Sequence, residues 1–143
     1  MKKTIRAHIT ERKRAASHAA IQLHIGVLAK TPGMVDWRGA NLGRPVTVYD
    51  LNDEPLFYDF PVLSRGRERL GLIRASASRV IGVPVPSIHL GPAVLNVDET
   101  SRKAARLIRQ KYKRKVVSTK LVCYAYPKLG IAVRWEKRGE AQR

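Results

Sequence analysis

Residues 116–137, VVSTKLVCYAYPKLGIAVRWEK, read as two strands that meet at a Pro127-Lys128-Leu129-Gly130 turn, and they carry the chain's single cysteine. A two-stranded hairpin is marginal alone in water, so what the flanking sequence supplies to cover it decides the fold. Cys123 reads as part of that scaffold. A nucleophilic thiol needs a base within hydrogen-bond reach and a group that orients the base. Cys123 instead shares its strand face with Thr119, Leu121 and Ala125, surroundings that suit a small packed hydrophobe. The four histidines, His8, His18, His24 and His89, are dispersed, and one cysteine can form no disulfide within the chain.

Just upstream, DETSRKAARLIRQKYKR (98–114) reads as a helix with Asp98 as its cap and Glu99 in its first turn, running to about Tyr112 or Arg114. At about 100° per residue, Ala104, Ala105, Leu107, Ile108 and Tyr112 cover one arc, which is expected to face the core. Arg102, Arg106, Arg109 and Lys113 fall within a strip of roughly 60° on the opposite side.

The chain opens in the same grammar. Thr10 is expected to cap a helix with Glu11 in its first turn, running to Ala29 or Lys30 and stopped by Thr31-Pro32-Gly33. Its core face is expected to be Ala16, Ala20, Ile21, Leu23, Val27 and Leu28, with Arg14, Ala15 and Gln22 away from it. GMVDWRGANLGRP (33–45) then reads as a loop with Trp37 tucked inward. Three strand-like runs follow: VTVYDL (46–51), LFYDFPVL (56–63) and RLGLIRASAS (69–78). Short polar separators, Asn52 to Pro55 and Ser64 to Arg67, make antiparallel hairpins the economical connection. Three prolines in VIGVPVPSIHLGPAV argue against a central strand there, leaving Ser87 to Leu90 as an edge. The expected architecture is α+β: two helices on an antiparallel sheet, in the order helix, three strands, an edge strand, helix, two strands. Residues 1–9 read as a basic arm, 10–137 as one domain and 138–143 as a polar tail.

PVTVYDLNDEPLFYDFPV (45–62), GLIRASAS (71–78) and VVSTKLVCYAYPKLGIAVRW (116–135) resemble the cystatin-like, PepSY type of domain, as found in the N-terminal propeptide of some papain-like and related cysteine peptidases. The resemblance covers about Ala15 to Trp135. It implies a helix lying across a curved antiparallel sheet, and a non-catalytic module that inhibits, chaperones or holds a peptidase. No inhibitory site is carried over, because the Gln-x-Val-x-Gly wedge of the cystatins has no match in Val80-Ile81-Gly82-Val83-Pro84. The expected partner under this reading is a protein, or a second copy of the chain, added along a sheet edge.

Charge points elsewhere. The formal net charge of +17 is segregated: residues 101–143 hold fourteen Lys/Arg against two acidic residues, and residues 32–100 hold seven against eight. From Arg102 to Lys120 there are nine Lys/Arg and no acid. A solvated face normally mixes signs, whereas a one-sign strip suits the phosphates of a nucleic acid or another polyanion. The alternative reading is therefore a basic accessory protein that binds nucleic acid through its helix faces. Its candidate residues are Arg6, Arg12, Lys13, Arg14, Arg102, Arg106, Arg109, Lys113 and Arg114. Tyr124, Tyr126 and Trp135 are expected to pack the sheet.

Other chemistry has less support. His18 and His24 are six apart, roughly 120° around a helix, so they do not pair on a metal. Asp50, Asp53, Glu54 and Asp59 cluster near one hairpin, and because Asp53 and Glu54 are turn residues the plain reading is a polar loop rather than a general acid/base pair. Gly39, Gly43 and Arg44 open no helix and match no nucleotide-binding loop. We expect no enzyme activity, metal or cofactor. No stretch approaches about twenty consecutive apolar residues, and no export signal is read, so a cytoplasmic location is expected for the chain as it stands, or an exported one if it is a piece of a longer precursor.

Overall fold

The computed structural model describes residues 10–92 and 96–136. In chain order the elements are α1 (Arg12–Leu28), β1 (Asn41–Leu42), β2 (Val46–Tyr49), β3 (Pro55–Leu63), β4 (Arg69–Ser76), β5 (Ser87–Leu90), α2 (Val97–Tyr112), β6 (Val116–Ala125) and β7 (Lys128–Trp135). The class is α+β. The pairing is mixed rather than wholly antiparallel, because Tyr49 at the end of β2 lies parallel to Val122 of β6. Parallel neighbours need a long crossover between them, and residues 50–115 supply it. The chain divides into two units, Met1–Val48 with Glu54–Ala93, and Tyr49–Asp53 with Val94–Arg143.

In the first unit β3 and β4 form a long antiparallel pair, from Phe57 opposite Ser76 to Leu63 opposite Arg69. Strand β5 extends β4, and β1 pairs with β3. Against this layer α1 lays Ala15, Ala19, Leu23 and Gly26, whose spacing of four, four and three is one helical stripe. The stripe meets Tyr58, Phe60, Val62, Ile73, Ala75 and Ala77, with Met34 and Trp37 closing the core beside it.

That is a different helical phase from the one the sequence suggests. Ala15 is fully buried, whereas Ala20, Ile21 and Leu28 face solvent. Small side chains win the inward positions because they let the helix approach the sheet, and the thioether of Met34 occupies the space a Cβ on Gly26 would take. Thr10 does not cap α1 either; Glu11 stands at that position, without a side-chain capping bond. Thr10 is tied to the sheet instead, its N–H donating to the Ala77 carbonyl (2.8 Å) and its carbonyl accepting from the Tyr58 hydroxyl (3.5 Å).

Asp59, inside the strand run at 56–63, lies in the middle of β3 opposite Arg74 of β4. Arg74 Nε and Nη2 donate to the two carboxylate oxygens at 2.7 and 2.8 Å. Both residues are buried, and the guanidinium lies over the Phe57 ring at 4.9 Å. Two short donors into one carboxylate is the geometry that makes a buried ion pair tolerable.

In the second unit the cap of α2 is Asn96, whose Oδ1 accepts the Glu99 N–H at 3.1 Å; Asp98, expected to cap, is inside the first turn. The helix stops at Lys113, which takes a left-handed conformation (φ 51°). It packs on β6 and β7. Ala105 is buried and Ser101, Ala104 and Ile108 are half-buried, but Leu107 and Tyr112, expected inward, are exposed. The hairpin turn also moves: Tyr126 and Pro127 make it, while Lys128, Leu129 and Gly130 already belong to β7, with Cys123 opposite Leu129.

Candidate polyanion-binding groove

One side of α2 and the first half of β6 enclose an open groove of about 630 Å³ within the second unit. Arg102, Arg106 and Arg109 line its helix wall, with Ala105 at the base; Val116, Val117, Ser118 and Thr119 form the strand wall. The helix builds this wall because spacings of four and three return a side chain to nearly the same face. The strip therefore flanks the buried arc instead of opposing it, which is why it borders a groove.

Among the described residues the groove arginines, Arg102, Arg106 and Arg109, are not paired with carboxylates. Glu99 pairs with Lys103 (2.7 Å) and also feels the charge of Arg102, Glu136 pairs with Lys115 (3.5 Å), and Asp53 is shared by Lys120 and Arg134 at 3.2 and 3.1 Å. Arg102 Nε donates to the Asp98 carbonyl at 3.3 Å. The hydrogen bond from Lys103, reinforced by its charge, holds the Glu99 carboxyl below its ordinary range. Three guanidiniums in a row present planar N–H donors that can donate in bidentate pairs to phosphate oxygens.

The remaining candidates are placed differently. Lys113 is exposed at the left-handed helix end and does not line the groove. Arg114 follows it, half-buried, with Nη1 buried and unpartnered. Arg12, Lys13 and Arg14 are exposed in the first turn of α1, where consecutive positions fan over about 200° and make no strip. Arg6 lies outside the described residues. Cys123 is a buried free thiol, and among the described residues no three His, Cys, Asp or Glu side chains come together as metal ligands. No described helix is long and apolar enough to cross a membrane.

The aromatic residues correct the sequence reading. Tyr124, Tyr126 and Trp135 are 53%, 60% and 40% exposed, and Tyr112 is 52% exposed. Tyr112 and Trp135 stack with their planes 4° apart and centroids at 6.1 Å, and Lys111 Nζ lies 5.5 Å from the Tyr112 centroid. The sequence places Tyr112 on the inward arc of the helix and Trp135 among the residues packing the sheet; each in fact ends its element, Tyr112 closing α2 and Trp135 closing β7.

Comparison with protein-family models, with curated proteins and with solved structures finds no match to this chain.

Proposed function

We propose that this protein binds nucleic acid through the phosphate backbone, using the groove between α2 and β6. The observation that carries the reading is the row of Arg102, Arg106 and Arg109 along one wall, none of them in an ion pair among the described residues. Ser118 and Thr119, both hydroxyl-bearing, line the facing wall. Phosphates that replace condensed counterions on such a wall give binding that weakens steeply with salt. Fluorescence anisotropy with a labelled random-sequence duplex tests it. Binding is expected at low salt and is lost as salt rises; no binding at low salt, to this duplex or to a single strand of the same length, refutes the reading.

A second reading rests on β7, which among the described residues pairs only with β6. In a cystatin-like, PepSY-like binding module, a protein partner or a second copy of the chain would add a strand to that edge. Light scattering that gives a monomer mass, with no protein recovered on co-purification from the native host, removes it.

A further inference from the structure

We infer that the groove takes unpaired strands in preference to duplex, with a base of the bound strand stacking on the Tyr112–Trp135 pair. The inference rests on the groove reading and adds to it which form of nucleic acid is bound. Two observations carry it. The rings are parallel, their centroids 6.1 Å apart, yet Tyr112 is 52% and Trp135 40% exposed, so broad flat apolar surface stays in water. The pair also adjoins the end of the groove: Tyr112 follows Arg109 by one helical turn, and Trp135 pairs across the hairpin with Val116, which lines the strand wall.

A strand whose phosphates run along Arg102, Arg106 and Arg109 therefore arrives at the aromatic pair with its next base. Every base has a π-face that can cover a Tyr or Trp ring, but in a duplex those faces are already stacked on neighbours, so only an unpaired base can be received. Lys111, above the Tyr112 ring, keeps a cation beside the platform for the adjoining phosphate.

The test compares labelled oligothymidine with a duplex of the same length at one salt concentration, using the whole chain. Oligothymidine is expected to bind more tightly and to quench tryptophan emission. Trp135 is the responding residue, because Trp37 is only 2% exposed. Trp135→Leu, and independently Tyr112→Ala, should lower oligothymidine affinity by about tenfold and leave duplex affinity nearly unchanged. Trp135→Phe should retain most of it. Circular dichroism checks that each variant is folded, and emission quenching in the unmodified chain gives a readout that needs no variant.

Equal affinity for both forms, with unquenched emission, overturns the stacking inference while the groove reading stands. Absence of binding to either form overturns both. Inorganic polyphosphate or anionic vesicles that bind as tightly as oligothymidine would show charge alone to be recognised, and also overturn the inference.

Discussion

Arg74 in the first unit and Arg106 in the second are the same side chain under opposite conditions. Arg74 is 4% exposed, clamped by both oxygens of Asp59 and laid over Phe57. Arg106 stands exposed on a groove wall between Arg102 and Arg109, in no ion pair among the described residues. A cation taken out of water has to be matched where it lies, or the desolvation cost is ruinous. A cation left at the surface has no such requirement, so a row of them without carboxylates is not dictated by folding. The two units also differ in how they are held. The helix α1 inserts Ala15, Ala19, Leu23 and Gly26 into a continuous apolar cluster, whereas α2 buries only Ala105 fully. The first unit is organised around its interior, the second around its surface.

The sharpest way to break this contrast is at the buried pair. Asp59→Ala should destabilise the chain by about 3–5 kcal/mol in urea unfolding, because it strands a guanidinium in the interior. Replacing both partners, Asp59→Leu with Arg74→Met, should recover most of that loss. If the single variant costs nothing, Arg74 is not confined as described.

A smaller loss is expected at Gly71. A Cβ there would strike the Trp37 ring and the His89 carbonyl, so Gly71→Ala should cost about 1–3 kcal/mol through overpacking. It should leave nucleic-acid affinity untouched if the second unit alone carries binding. Thermal unfolding and anisotropy on the same preparation check both halves.

The smallest effect belongs to Glu99. Its carboxyl titrates lower in the folded chain than in the unfolded one because Lys103 hydrogen-bonds to it. Its support for α2 is therefore present above the ordinary carboxylate range and is lost as the pH falls through the lowered value. Glu99→Gln should remove this small dependence, seen as a slightly flatter curve of melting temperature against pH on the acid side. An unchanged curve would mean that the contact is not populated in solution.

Much of the architecture was legible in the chain itself. The runs beginning at residues 46, 56, 69, 87 and 116 became strands, and both helices lie where apolar periodicity and the Thr31-Pro32-Gly33 stop put them. Helical phase was less legible: in α1 Ile21 and Leu28 are larger and more apolar than Ala15 and Ala19, yet close approach to the sheet favours the smaller pair. Pattern reading weighs hydrophobicity and is blind to that steric selection. The pairing of Asp59 with Arg74 was not legible for a related reason, since the two lie fifteen residues apart across a hairpin and only the register brings them together. Of the site, the spacing of Arg102, Arg106 and Arg109 was readable because an α-helix converts spacing directly into a face. The facing wall, Val116 to Thr119, and the stacked Tyr112–Trp135 pair required the tertiary arrangement.

Salt titration of oligothymidine binding tests the central claim most directly, with charge removed from each unit in turn. Arg102, Arg106 and Arg109 to Gln, beside Arg38, Arg44 and Arg79 to Gln, lowers the net charge equally. The groove variant should flatten the slope of log K against log salt by about two units and lose most affinity, while the first-unit variant keeps nearly the original slope. Equal losses from the two variants would contradict the account, by showing that overall charge rather than a built groove attracts the strand.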